Sequence, residues 1–351
     1  QNPGVEMKAL YIREHGDPGV LTYGDLPEPE IGPNEIKVRV RACAINRVDV
    51  FTRLGVRGTR LGLDQPHILG GDAAGDVVEI GHEVTRIRVK DRVVINPKLT
   101  CNQCQFCIAG EDELCTSPSM LGSTTNGSYA ELVKAPAINA VRLPDSLSYD
   151  QAAALPTVFM PSWNILVRRA QLRPSETALI LSASSGVGTA AIQIAKKVSG
   201  ARVIATTSTN EKADKARALG ADEVIVYSLE DIEKRVRALT DGRGVDVVLD
   251  HVGADFWPAA SRSLAPGGRY GICGVTTGYK SELQMGLLFL RNQTVFGVFM
   301  GRKDDLRQIV DLAGKGVIRS VIHDTFPLSD AAVAHELLES QGFFGKLILN
   351  P

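Results

Sequence analysis

The chain has 351 residues, 44 % apolar and 23 % charged, the composition of an ordinary globular protein with enough material for two cores. Lys plus Arg number 39 against 40 for Asp plus Glu, a net charge of -1, so no global field draws the protein to nucleic acid or to an acidic membrane surface. No apolar run approaches the roughly 18 residues of a spanning helix, and the opening QNPGVEMKALYI lacks a basic segment followed by an apolar one, so a cytoplasmic protein with no membrane partner is expected.

Gln1 to Glu6 precede Met7, which reads as an initiator, and are left out of the fold reading. From MKALYIREHG to about Lys134, short β-branched runs (EIKVRVRACAI, AGDVVEIG, DRVVINP, YAELVKAP) alternate with Gly, Pro and Asp, which predicts a compact all-β unit. From about Asp150 the texture changes. TALILSA, RVIATTS, EVIVY, VDVVLDHVG and RYGICG read as strands, separated by the amphipathic stretches GTAAIQIAKKV, NEKADKARALG and LEDIEKRVRALT. Strands alternating with helices imply right-handed crossovers and a parallel sheet, and continuously apolar strands imply burial on both faces: a doubly wound α/β domain. Past about Phe296 come a helix at KDDLRQIVDLAGKG, short strands, a second helix at SDAAVAHELLES and a closing strand, GKLILNP.

In LILSASSGVGTAAIQIAK a strand runs into Ser184, Ser185, Gly186, Val187 and Gly188 and then into a helix. Such a turn lets backbone N–H groups approach a pyrophosphate and aims the positive end of the helix dipole at it. The full G-x-G-x-x-G is absent: Ala183 and Ser185 hold the first two glycine positions, and only Gly188 matches the third. A mere tight strand-to-helix turn is the bland alternative. NAD sites usually carry an acid about 20 residues further on, which binds the ribose 2'-hydroxyl and repels a 2'-phosphate. Here ARVIATTSTNEK offers Thr207 and Ser208, no acid before Glu211, and then Lys212. A neutral, hydroxyl-lined pocket with an ammonium nearby favours NADP(H) over NAD(H), unless Lys212 is only a solvated helix residue.

Four of the six cysteines fall in CNQCQFCIAGEDELC: Cys101, Cys104, Cys107 and Cys115, on a loop after DRVVINP. Four thiolates on one short excursion can close a tetrahedral zinc shell with no position left for water or substrate, so one structural zinc per chain is expected. An iron–sulfur cluster could use the same set, and disulfides or unliganded thiols are the remaining readings, disulfides being disfavoured in a reducing compartment. Cys43 and Cys273 fall in predicted strands and read as small buried hydrophobes.

A β unit with a four-cysteine loop, a following dinucleotide domain and a C-terminal return together resemble the medium-chain dehydrogenase/reductase family, over essentially all of Met7 to Pro351. The resemblance implies a GroES-like, β-rich substrate domain (7–158 and 297–351), a Rossmann dinucleotide-binding domain (159–296) and an active site in a cleft. In zinc-dependent relatives a catalytic metal is held by two cysteines and a histidine. INRVDVF, ILGGDAAG and ALPTVFMPSW put Asn46, Gly71 and Thr157 in those places, none a strong zinc ligand. Val48 and Phe51 replace the family's proton-relay hydroxyl and histidine, Asp49 remains, and Asp72 stands where a glutamate would sit behind the metal. His67 comes too early to be a ligand and reads as structural. The resemblance also points to Tyr227 at the adenine end, Val252, Gly274 and Val275 near the nicotinamide ribose, and Lys346 at the pyrophosphate. Relatives form homodimers or homotetramers, often across a sheet edge, for which TVFGVFM is the candidate strand.

Zinc assists alcohol–carbonyl interconversion by stabilising alkoxide character. Without it, a conjugated acceptor is the easier substrate, because arriving hydride leaves the charge delocalised as an enolate or hydroquinone anion. The expected activity is therefore hydride transfer from NADPH to a quinone or enone, with the proton from solvent or an unassigned donor. Asn46 would orient substrate or nicotinamide, Thr157 would lie against the nicotinamide, and Asp49 and Asp72 would either donate a proton or anchor strands, with Arg53 and Tyr129 behind them. The alternatives are an alcohol or ketone dehydrogenase working without catalytic zinc, and a non-catalytic NADP(H)-binding sensor.

Overall fold

A computed structural model describes residues 5–351, and they form two compact units: the residues up to Thr157 together with Arg302–Pro351, and Val158–Gly301. Among the described residues, no helix is long and apolar enough to cross a membrane.

The first unit is organised by strand β1 (Glu35–Ala44). Ile36, Val38 and Val40 turn inward while Lys37, Arg39 and Arg41 face out, the two-residue alternation of a strand with one wet face. From Ala42 onward every residue is buried. β1 then runs into helix α1 (Arg47–Leu54), which the all-β expectation for this region missed. Val48 and Val50 give RVDVFTRL a strand-like texture, yet Asp49 at the third helical position accepts the N–H of Asn46, a helix-start signal that outweighs propensity. Strand β2 (Asp72–Ile80) pairs antiparallel with β1, so its first residue, Asp72, lies opposite Ala44 at β1's far end. The C-terminal strand Lys346–Asn350 pairs antiparallel along the other side of β1, with Ile348 opposite Ala44. Three strand ends therefore coincide. Together with Arg92–Ile95, Leu132–Pro136, Ala140–Arg142 and Ile322–Pro327 they complete a seven-stranded sheet, whose core includes Ile36, Val38, Val77, Val93 and Leu349.

The second unit is a six-stranded parallel sheet in the order β5-β4-β3-β6-β7-β8. Here β3 is Thr177–Ile180, β4 Arg202–Thr207, β5 Glu223–Val226, β6 Val245–Asp250, β7 Leu264–Ile272 and β8 Thr294–Gly297. Helix α2 (Gly186–Gln193) joins β3 to β4, and α3 (Asn210–Leu219) joins β4 to β5. Every residue of β6 is buried, as a strand covered on both faces requires. The sheet order reverses beside β3, the switch point at which such sheets bind ligands. β8 is the outer strand, as TVFGVFM suggested.

One polar group is sealed deep in the first unit. Arg53 of α1 is fully buried, and its guanidinium donates to Gly16 O at 3.0 Å, to His335 Nδ1 at 3.1 Å and to Glu339 Oε1 at 2.5 Å. It thereby pins α1 to the helix Ala331–Ser340. Arg53→Met fills the same space but strands those acceptors, so a loss of about 3 kcal/mol is expected. A lowered urea midpoint for the first unit is the measurement that checks it.

Candidate active site

Where the three strand ends meet, the first unit buries two carboxylates and an ammonium: Asp49 is 1 % exposed, Asp72 0 % and Lys346 4 %. Asn46 links all three. Its backbone N–H donates to Asp49 Oδ2 at 2.8 Å, and its side-chain Nδ2 donates to Asp72 Oδ2 at 2.9 Å and to Ala44 O at 3.2 Å. Its Oδ1 accepts from Lys346 Nζ at 2.5 Å, and the same ammonium donates to Ile45 O at 2.5 Å. The other oxygen of Asp72 accepts from the Thr157 hydroxyl at 2.7 Å and from the Thr157 N–H at 3.2 Å.

Two expectations change here. Both amide hydrogens of Asn46 are spent inside the protein, so Asn46 holds the carboxylates in register rather than presenting its amide to a substrate or nicotinamide. Lys346, expected at a pyrophosphate, begins the closing strand and has its ammonium engaged by Asn46 and Ile45, where two buried carboxylates supply the counter-charge.

Burial pushes both carboxyls upward, Asp49 to about 7, while Lys346 pulls them back; burial in turn lowers the ammonium of Lys346. Full ionisation would leave two negative charges facing one positive charge in a poorly screened interior. Burial and mutual repulsion thus favour a proton on the pair, most directly on Asp49, against the pull of Lys346. Behind Asp49 runs a buried chain: the Tyr129 hydroxyl donates to Asp49 Oδ2 at 3.2 Å, and His335 Nε2 lies 3.3 Å from the Tyr129 oxygen. Because Arg53 donates to His335 Nδ1, the imidazole proton sits on Nε2 and points at Tyr129. Burial, then the Arg53 charge, hold His335 down at about 3, so it stays neutral. Arg53 and Tyr129 thus serve the site from within the core. His335 was not visible in the sequence, because a lone histidine on the apolar face of SDAAVAHELLES carries no motif.

In the second unit the candidate cofactor residues gather at the C-terminal ends of the parallel strands. Ser185 caps α2, its Oγ accepting the Gly188 N–H at 2.8 Å and lying 3.0 Å from His251 Nε2. A Cβ on Gly188 would stand 2.2 Å from Ser182 O, so only glycine lets α2 pack this close to β3. Ser182 itself takes a left-handed backbone (φ 52°), a strained conformation typical of a ligand-binding turn. The first N–H groups of a helix have no partner within it, which leaves Gly186 and Val187 suited to phosphate oxygens.

Thr207 ends β4, and its buried hydroxyl has no hydrogen-bond partner; Ser208 follows, and Lys212 sits half-buried in the first turn of α3. Glu211, the nearest acid, is turned to Lys215 in an exposed pair at 2.8 Å. Tyr227 follows β5 and packs edge-on against Phe256 at 5.0 Å between ring centroids; Val252 follows β6, and Gly274 and Val275 follow β7. This cradle, with an orphan hydroxyl and no carboxylate at the end of β4, fits a dinucleotide.

The thiols of Cys101, Cys104, Cys107 and Cys115 converge within 4.8 Å of one another. Cys101 Sγ lies 3.6 Å from Cys115 Sγ and 3.9 Å from Cys107 Sγ, against an edge of about 3.8 Å for a tetrahedron with zinc–sulfur bonds of about 2.3 Å. The N–H groups of Cys101 and Cys104 donate to sulfur, and the backbone N–H of Cys107 helps hold the Cys104 thiol down at about 5. These four residues fit zinc. The loop is tied to the helix Lys303–Gly314 through Arg302 to Glu113 at 2.9 Å and Lys303 to Asp112 at 3.4 Å. Cys43 is the buried hydrophobe expected, whereas Cys273 falls just past β7 and is only half-buried. His67 pairs with Ile12 at the edge of a three-stranded sheet and bonds Gly122 O at 3.2 Å, a structural placement.

Two family models match the chain, the alcohol dehydrogenase GroES-like domain over residues 32–145 and the zinc-binding dehydrogenase domain over residues 186–315. The chain belongs to the medium-chain dehydrogenase/reductase superfamily. Its relatives carry several named activities, among them alcohol dehydrogenase, quinone oxidoreductase and acryloyl-coenzyme A reductase. It is 35 % identical to a quinone oxidoreductase of Pseudomonas aeruginosa, over 98 % of this chain and 99 % of that one. It is 32 % identical to an NAD-dependent alcohol dehydrogenase of Sulfurisphaera tokodaii, over 98 % and 100 %. A crystal structure of an NAD-dependent alcohol dehydrogenase superposes with a TM-score of 0.94 at 42 % identity, covering 98 % of this chain and 100 % of that one. The expected fold class, a GroES-like domain plus a Rossmann sheet, is that of this superfamily.

The raised Asp49 carboxyl makes stability pH-dependent. A carboxyl that binds its proton more tightly when folded stabilises the protein fully below its unfolded value near 3.8, and that contribution is lost as pH rises through about 7. The melting temperature should fall between about pH 4 and pH 7 and level off above. Asp49→Asn should flatten that decline, as pH-resolved thermal melting would show.

Proposed function

We propose that this medium-chain enzyme reduces conjugated acceptors, quinones or enones, with NADP(H) and without a metal at the reacting centre. The observation that carries the reading is the donor set around Asn46. Its carbonyl oxygen is bonded to an ammonium, Gly71 has no side chain, and the Thr157 hydroxyl is bonded to Asp72. Such a set is a poor zinc site, and a cation placed there would meet Lys346. Among the described residues the only cluster of three or more metal-ligating side chains is the four-cysteine loop, which as a closed shell is structural.

Bound NADPH would supply the hydride. Gly186, Val187 and Gly188 would hold its pyrophosphate, Thr207, Ser208 and Lys212 its 2'-phosphate end, and Val252, Gly274 and Val275 its nicotinamide half. The protein's part in the chemistry is then to orient the acceptor and to stabilise the delocalised anion it becomes, for which a few fixed hydrogen bonds suffice. The likeness to an NAD-dependent alcohol dehydrogenase at 42 % identity favours a second reading, a carbonyl–alcohol dehydrogenase using a hydrogen-bond donor in place of zinc. Self-association through the outer strand β8 fits either reading, since an uncovered strand edge seeks a partner.

Purified protein is expected to oxidise NADPH with a quinone and a cyclic enone but not with an aliphatic ketone, and to hold one zinc per chain by elemental analysis. Zinc released from the cysteine loop should lower the melting temperature while leaving hydride transfer in the still-folded protein. Turnover of the ketone alone, or a second tightly held zinc whose removal abolishes activity, would overturn the reading. Lys212→Ala is expected to raise the KM for NADPH about tenfold, a loss near 1.4 kcal/mol, and to leave the KM for NADH unchanged in steady-state assays.

A further inference from the structure

We propose that Thr157 is the proton donor of this reduction, its hydroxyl drawing on the Asp72 carboxyl behind it. The assignment rests on the reductase reading and supplies the proton that reading leaves without a source. Of the hydrogen-bonded set formed by Asn46, Asp49, Asp72, Lys346, Tyr129, His335 and Thr157, only Thr157 is not buried. It is therefore the solvent-facing end of the network on the Asp72 side, while the far end, beyond His335, runs through the Arg53 guanidinium to the exposed Glu339. It is also the last residue of the first unit before the chain enters the dinucleotide-binding unit.

The contact geometry suits a two-step handover. The Thr157 hydroxyl oxygen lies 2.7 Å from Asp72 Oδ1, and the Thr157 N–H at 3.2 Å from the same atom fixes the pair in place. A hydroxyl against a carboxyl has two proton arrangements. In one the carboxylate accepts the hydroxyl proton; in the other the carboxylic acid donates to the hydroxyl oxygen and frees the hydroxyl proton to point outward. The second arrangement is open to Asp72 because its carboxyl is fully buried beside Asp49, and both face the one ammonium of Lys346 across Asn46. Charged or titratable groups facing Asp72 are Asp49 and Lys346 within the network, with Tyr129 and Cys43 next to them.

An acceptor that has gained hydride at one carbon carries an electron pair on its α-carbon or oxygen. That pair takes the Thr157 hydroxyl proton as the O–H bond breaks, and the Thr157 oxygen takes the Asp72 proton in the same movement. Asp72 is left as a carboxylate beside Lys346 and the Asn46 amide. A proton from water restores it through Thr157 once product leaves, so each turnover consumes one hydride and one solvent proton. Asp72 acts through Thr157, as a positioning residue that stores the proton.

The test uses the full-length protein, NADPH and an α-substituted cyclic enone in deuterated water. Wild-type protein and Thr157→Ser should place a single deuterium on one face of the α-carbon. Thr157→Val, with the hydroxyl removed and the shape kept, should turn over about 100-fold more slowly and label both faces, with NADPH binding by fluorescence titration unchanged. Asp72→Asn, where thermal melting shows it folded, should lose the limb of the pH–rate profile assigned to the carboxyl pair. Thr157→Val working at the wild-type rate with one-face labelling would overturn the assignment alone. Failure of the wild-type protein to reduce any conjugated acceptor would overturn the reductase reading, and the assignment with it.

Discussion

The first unit depends on one electrostatic constraint: two carboxylates buried at the end of β1 must share a single ammonium. Asp72 comes from the first residue of β2, Lys346 from the first residue of the closing strand, and Asp49 from the first turn of α1. None of the three could be buried alone, since an isolated charge in a protein interior is far too costly unless neutralised or paired. Asn46 makes the combination tolerable by giving each a hydrogen bond. Because these residues come from positions as far apart in sequence as 46 and 346, satisfying them also locks the C-terminal return onto the N-terminal sheet.

Much of this architecture is legible in the sequence. Alternating strands and helices after Asp150 require a parallel sheet, and the sequence marked both the tight strand-to-helix turn at Gly188 and the cysteines whose thiols converge, because those signals are local: a few residues fix the backbone or bring the thiols together. Signals that arise only through pairing were not legible. Lys346 of GKLIL reads as a pyrophosphate contact until the sheet register sets it beside Asn46. His335 reads as a helix residue until Arg53 and Tyr129 are found on either side of its ring. Helix α1 was hidden by valines whose strand preference is overridden by a cap, an instance of local hydrogen bonding outweighing propensity.

The two units divide the work of handling charge. In the dinucleotide-binding unit the turn before α2 presents neutral backbone donors and a helix dipole, while hydroxyls and a lysine follow β4. Nothing negative stands at the end of that strand to oppose a phosphate, since Glu211 is drawn to Lys215. Relatives named for NAD share the fold, but the choice between the two dinucleotides is made by a few side chains after β4 and not by the sheet that carries them.

Both unusual clusters of the first unit face the same difficulty, concentrated negative charge, and differ in how much of it there is. Four thiolates within 4.8 Å call for a divalent ion, because no single side chain offsets that repulsion. Two carboxylates, one of them able to keep its proton, need only one positive charge, and Lys346 provides it from within the chain. That positive charge opposes a second one nearby: unit charges about 4 Å apart interact by about 4 kcal/mol at an effective dielectric near 20, and a divalent cation beside the ammonium would meet about twice that in repulsion. The thiol cluster at the loop and the lysine-compensated carboxyl pair at the Asn46 junction are thus two answers to one electrostatic demand, and at the junction the half-buried group is a hydroxyl backed by a carboxyl.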